Sequence, residues 1–82
     1  MPKLRVLSST EIIKILGKFG FVIVSQKGSH IKLKRTVDFG IKQSLTIPNH
    51  YELDRGTTKA IYNQAARYIP EEKLREHFFH SK

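Results

Sequence analysis

Apolar and polar positions recur along this chain with two different periods, and the change of period marks out its elements. From Leu7 to Phe19 the period is helical. Ile12, Ile13, Leu16 and Phe19 follow at spacings of one, four and seven, which gathers them on one face, while Lys14 and Lys18 fall elsewhere. Ser8 is placed to cap the start, Glu11 three residues later closes a capping box, and Leu7 with Ile12 forms a hydrophobic staple. Gly17 weakens the last turn, and Gly20 offers the residue that ends a helix in the left-handed region without steric penalty.

From Phe21 the period becomes that of strands. Phe21–Lys27, a tight turn at Lys27-Gly28-Ser29, His30–Thr36, a loop through Asp38-Phe39-Gly40, and Ile41–Ile47 predict a three-stranded antiparallel meander that Pro48 stops. In the second strand Ile31 and Leu33 share one parity and His30, Lys32 and Lys34 the other. In the third, Ile41, Leu45 and Ile47 oppose Lys42, Ser44 and Thr46. One sheet face is therefore expected to be apolar and the other polar and basic. The first strand is apolar on both parities, so alternation does not assign its faces.

After residues 49–53, Asp54 is a plausible N-cap for a second helix with Ile61, Ala65, Tyr68 and Thr57 on its buried face. Ile69-Pro70 breaks that helix. Pro70 at a first helical position, followed by Glu71 and Glu72, opens a short third helix through Leu74 and Phe78. The predicted class is α+β, a three-stranded antiparallel sheet with helices on one face. The α-β-β-β-α order is that of double-stranded-RNA-binding domains, with an extra short C-terminal helix.

Length and composition narrow the functions available. The 82 residues suit a single domain over 1–82, with a core at 8–69 and a helical extension at 70–82. A chain this small buries only about 60–65% of its unfolded surface, which leaves no room for a deep, many-walled cavity. The absence of cysteine excludes disulfides, thiol catalysis and thiolate metal sites, and fits a reducing cytoplasm. The longest apolar run, Phe21-Val22-Ile23-Val24, falls far short of the roughly 20 residues that span a bilayer, and the N-terminus lacks a signal peptide's apolar stretch. A cytoplasmic protein without membrane partners is expected.

Charge changes the picture most. Fifteen Lys and Arg against seven Asp and Glu give +8, and Lys73, Arg75 and Lys82 cancel Glu71, Glu72 and Glu76, so the whole excess lies in residues 1–69. Such a balance favours a polyanionic partner, nucleic acid first. Gly28-Ser29-His30 gives that partner a chemistry. The turn delivers His30 to the start of a strand on the parity of Lys32 and Lys34, with Lys27, Gly28 and Ser29 beside it. RNA is cleaved when its own 2′-OH attacks the neighbouring phosphate, which calls for a group titrating near neutrality and for cations to steady the phosphoryl oxygens. No metal or small-molecule cofactor is needed. By spacing alone, His30 reads equally as a surface strand residue after a turn.

Other residues offer weaker signals. His50 suits a second acid–base group or an ordinary loop residue. Gly56, Thr57 and Lys59 at the start of the second helix offer N–H groups, a hydroxyl and a cation to a phosphate, or simply form a capped helix start. The P-loop spacing is missing. His77 and His80 are two histidines where a metal site needs three or four converging ligands, so no metal is expected there. Phe39, in a Gly-containing loop, is placed either to stack on a base or meet a partner, or to tuck over the sheet's edge.

Gly28-Ser29-His30, Thr46-Ile47-Pro48-Asn49-His50-Tyr51-Glu52-Leu53, Gly56-Thr57, Ala60-Ile61 and Gln64-Ala65 together resemble the HicA (YcfA-like) toxins of HicA–HicB toxin–antitoxin systems. The likeness covers almost everything from Ser8 to Tyr68. It implies a double-stranded-RNA-binding-domain-like fold, metal-independent endonuclease activity on mRNA, and inhibition by a HicB-type antitoxin that covers the active face. The family's catalytic histidine maps onto His30, and the match places His50 near the same face. Departures from the family pattern fall at Ile31, Arg55 and Thr58, where a polar residue, Pro and Leu are common. Two other classes fit the same basic face: a noncatalytic RNA- or DNA-binding module, and a domain that binds an acidic protein.

Overall fold

Ser8 caps α1 (Ser9–Gly17) as its side chain predicts: its hydroxyl accepts from the Glu11 N–H, and the Glu11 carboxylate accepts from the Ser8 N–H. At the other end the Phe21 N–H donates to the Leu16 carbonyl and the Gly20 N–H to that of Gly17, the paired bonds of a Schellman ending, with Gly20 at φ 95°. The structure, a computed structural model, describes residues 3–80; residues 1, 2, 81 and 82, Lys82 among them, lie outside that range. The buried face of α1 is Ile12, Ile15 and Leu16, with Ile13 and Phe19 only half-buried. The stripe is rotated by about one residue from the expected one, because Ile15 packs inward and the chain leaves the helix before Phe19.

The sheet follows as β1 (Val22–Lys27), β2 (His30–Val37) and β3 (Ile41–Pro48), antiparallel and in sequence order, with one turn of 3₁₀ helix at Asp38–Gly40 joining the last two. Helix α2 (Arg55–Ala65) starts at the Asp54 cap, and α3 (Glu71–Phe78) completes the expected α-β-β-β-α-α order. Pro70 stands at the N-cap of α3 rather than inside it, with ψ 129°, too extended for a helical residue. The buried face of α2 is Thr58, Ile61, Tyr62 and Ala65; Thr57 is half-buried and Tyr68 lies past the helix end.

Residues directly opposite on paired strands share a face, so the register sorts the sheet. Ile23, Leu33 and Leu45 form one inner row and Gln26, Ile31 and Ile47 the next. Leu33, Leu45, Ile31 and Ile47 are buried against the helices, in one cluster with Leu7, Leu16, Phe21, Ile61, Ala65 and Ile69. Leu74 and Phe78 of α3 belong to the same cluster, so the hydrophobic core runs beyond residue 69. The N-terminal segment closes on that helix. Leu4 bridges to Phe79, and the Arg5 and His80 N–H groups donate to Phe78 and Lys3 carbonyls.

A bulge resolves the first strand. Val22 opposes Lys34 and Ile23 opposes Leu33, but Ser25 opposes Lys32, so the register slips by one residue between Ile23 and Ser25. The slip puts Val22 and Ser25 on the outer face and Ile23 and Gln26 on the inner one, and all six residues of β1 are exposed, so neither parity is marked by burial. Ile41 keeps the inner parity yet is exposed, because it pairs with Val37 past the row where Arg35 and Gln43 close the inner face. Phe39 does not tuck over the edge. It is 100% exposed, at φ 63°.

Candidate functional site

The outer sheet face is built in rows. Lys27, His30 and Pro48 form the first, Ser25, Lys32 and Thr46 the second, and Val22, Lys34 and Ser44 the third. Successive residues on one face of a strand stand about 6.6–6.8 Å apart, so His30, Lys32 and Lys34 make an evenly spaced line of an imidazole and two ammonium groups. Lys27 stands beside His30 in the same row. All four side chains reach solvent: His30, Lys32 and Lys27 are exposed and Lys34 is half-buried.

The His30 end of this face is held by the backbone. Gly28 and Ser29 form a two-residue connection closed by the Lys27–His30 pair, and Gly28 takes φ 59° at the position where a II′ hairpin demands a positive angle. The Asn49 N–H donates to the Ser29 carbonyl at 2.6 Å, tying the turn to the loop that follows β3. Buried Ser9, the first residue of α1, organises that loop. Its hydroxyl donates toward the Pro48 and His50 carbonyls and accepts from the His50 N–H at 2.7 Å, while its own N–H donates to the His50 carbonyl at 3.0 Å. His50 thus leaves a fixed backbone two residues past the cross-strand partner of His30, with its side chain exposed.

The start of α2 is partly occupied by its own cap. The Asp54 carboxylate accepts the Thr57 N–H at 2.7 Å, and that bond first, then the Thr57 hydroxyl, the Gly56 N–H and the nearby His50, hold its carboxyl below the usual range. Gly56 and Thr57 form the first turn beside it. Lys59 belongs elsewhere: its ammonium lies 5.9 Å from the Tyr62 ring centre and 5.7 Å from that of Phe79. The structure therefore gathers Lys27, Gly28, Ser29, His30, Lys32, Lys34 and the His50 loop, and does not bring Lys59 to them. His77 packs edge-on against Phe19 and its carbonyl accepts from Arg5. Among the described residues no three His, Asp or Glu side chains cluster as metal ligands. A hollow of about 540 Å³ between β3 and α2 is lined by Ser44, Ala60, Asn63, Gln64, Arg67 and Tyr68 and does not include His30. The basic row is an open surface, which is what a long polymer needs and a small substrate does not.

Sequence reasoning missed Ser9, Arg35 and Tyr51. Arg35 left a trace: it falls on the apolar parity of β2, and its cross-strand partner Gln43 falls on the apolar parity of β3. Two polar residues paired on an apolar face announce a structural bond. Ser9 looked like part of a cap, and the exposure of Tyr51 is not written in its neighbours.

The model of a HicA toxin of bacterial toxin–antitoxin systems matches residues 9–66. The chain belongs to the HicA toxin family. Neither a curated protein nor a solved structure matches it. The HicA match runs from α1 through the residue that ends α2, and so contains the whole sheet and the His30 face. Residues within the match have visible structural tasks here. Ala65, fully buried, lets α2 approach the sheet, and the Gln64 side chain accepts the Thr46 N–H of β3. Thr58 is fully buried and its hydroxyl finds no hydrogen-bond partner among the described residues. No helix among those residues is long and apolar enough to cross a membrane.

Proposed function

We propose that this HicA-family chain is a cytoplasmic endoribonuclease toxin that cleaves mRNA, with His30 as its general acid–base. The observation that carries the reading is the outer-face line of His30, Lys32 and Lys34, with Lys27 in the His30 row. An RNA strand laid along that line puts a phosphate against the imidazole and its neighbours against ammonium groups. The 2′-oxygen loses its proton, forms a bond to phosphorus, and the bond from phosphorus to the 5′-oxygen breaks, leaving a 2′,3′-cyclic phosphate and a new 5′-hydroxyl. His30 moves a proton in this exchange, taking it from the 2′-OH or giving it to the 5′-oxygen. His50, on the loop tied to the Ser29 turn, serves the opposite step in this reading. Lys32 and Lys34 stabilise the charge that gathers on the nonbridging oxygens. Gly28 aims the imidazole by setting the turn, and Lys27 and Ser29 contact the adjoining backbone. A HicB-type antitoxin inhibits by covering the same face.

Incubation with end-labelled RNA tests the reading. New 5′-hydroxyl ends are expected from the parent chain, in the presence of EDTA as well, and none from a substrate with 2′-deoxy sugars. Induced expression should arrest growth, and His30→Ala should abolish the arrest. RNA binding without new ends would instead make the chain a noncatalytic binding module.

A further inference from the structure

We propose that Tyr51 is a nucleobase-stacking platform beside His30, a subsite for one unstacked base of single-stranded RNA; the identity of the ligand rests on the ribonuclease reading above. Aromatic rings in this protein mostly have work inside it. Phe19 meets His77, Phe21 meets Tyr68 and the Arg35 guanidinium, and Tyr62 meets Phe78 and Phe79. Tyr51 is 99% exposed, and packing does not account for a ring in that position.

The backbone on either side of it is nevertheless held. Asn49 is tied to Ser29, His50 is bonded through both its N–H and its carbonyl to Ser9, and the Leu53 N–H donates to the Leu7 carbonyl at 3.0 Å. A ring carried on such a loop has two side-chain torsions left to order when a base arrives, a small entropic cost for a large flat contact. Its reach is right. Three residues of chain span at most about 11 Å, so Tyr51 stands within that distance of Pro48, which is paired directly with His30.

The local charge selects a base rather than a phosphate. Glu52 follows Tyr51 and Asp54 lies two residues further on, both exposed, and these two carboxylates outnumber the one cation beside them, Arg55, so a phosphate at Tyr51 meets net repulsion while one at Lys27, Lys32 or Lys34 is attracted. Stacking is indifferent to that repulsion and tolerant of sequence, since every base has a π-face. Single-stranded RNA is commonly held by unstacked bases on aromatic side chains.

The test uses the His30→Ala chain, which keeps the RNA intact, and a short fluorescein-labelled single-stranded RNA read by anisotropy. Adding Tyr51→Ala should weaken binding roughly 5- to 150-fold, and Tyr51→Phe should stay within about twofold of the parent. Phe39→Ala, an equally exposed ring at the far end of β2 and about 25 Å from His30, serves as the control and should change little. An abasic site moved along the RNA should cost affinity at one position with Tyr51 and at none with Tyr51→Ala. Binding within twofold for Tyr51→Ala, or an equal loss for Phe39→Ala, overturns the subsite. So does a Tyr51→Ala variant that loses affinity for the antitoxin and not for RNA, which would assign the ring to the protein interface. Failure of the catalytic reading shows separately, as His30→Ala cutting RNA like the parent while Tyr51→Ala still weakens binding.

Discussion

Lys34 and Arg35 are neighbours on β2 and carry the same charge, yet they belong to different machines. Lys34 faces outward in the row of Val22 and Ser44, one step along the line that begins at His30. Arg35 turns inward. Its Nε donates to the Gln43 side chain at 2.7 Å, its two terminal nitrogens donate to the Phe19 and Tyr68 carbonyls at 2.8 and 2.7 Å, and its guanidinium lies 4.8 Å from the Phe21 ring centre. Those carbonyls lie just past the ends of α1 and α2, where backbone acceptors lack helical partners and the dipole is negative. One cation is free for a polyanion, and the other joins both helices to the sheet. Net charge counts them alike, so +8 says less about nucleic acid than the side of the sheet on which each cation stands.

The sharpest way to break this contrast is His30→Ala on the outer face. Cleavage should fall by about 10²–10⁴-fold, while the urea midpoint stays at the parent value, since the side chain is exposed. Arg35→Ala should do the reverse. Losing three charged hydrogen bonds and a cation–π contact is expected to cost about 2–4 kcal/mol in urea unfolding, with RNA affinity of the folded protein unchanged. Arg35→Lys should recover little, because one ammonium cannot reach three acceptors held in a fork. Equal loss of RNA affinity in Arg35→Ala and Lys34→Ala would erase the distinction between the faces.

The turn at Gly28 carries His30 into β2, and Gly28→Ala isolates its backbone contribution. A Cβ there meets nothing within 4 Å, so the expected loss of about 1–2 kcal/mol is purely conformational, and Gly28→Asn should lose less. On the buried side, Thr58→Val should raise stability by about 1 kcal/mol by removing a hydroxyl without a partner, and Thr58→Ser should not. Smallest is the outer-face Lys34→Ala: stability within about 0.5 kcal/mol of the parent, and a plot of log affinity for single-stranded RNA against log salt shallower by about 0.7.

Much of the fold was legible because its signals are local. The Ser8–Glu11 capping box, the glycine at residue 20, the Gly28 turn and the alternation of β2 each involve residues a few positions apart, and local physics acts on them as it would in a short peptide. The limits appear where distant residues meet. The faces of β1 could not be read because Val22, Ile23 and Val24 are apolar in succession on a strand exposed on both sides, and the extra residue in its ladder with β2 is a property of two strands together. Ser9 organises a loop some 41 positions away, a partnership that neither segment displays by itself.

The candidate site divides in the same way. The sequence alone determined that His30, Lys32 and Lys34 share a strand face, since a period of two leaves no other arrangement, and it carried the motif that marks the HicA family. Only the tertiary structure decided that the His50 loop is pinned against the Ser29 turn, that Lys59 lies over aromatic rings, and that Tyr51 is left uncovered. Strand parity is a matter of covalent geometry within one segment. Whether a side chain is free or taken depends on what the rest of the chain brings up against it.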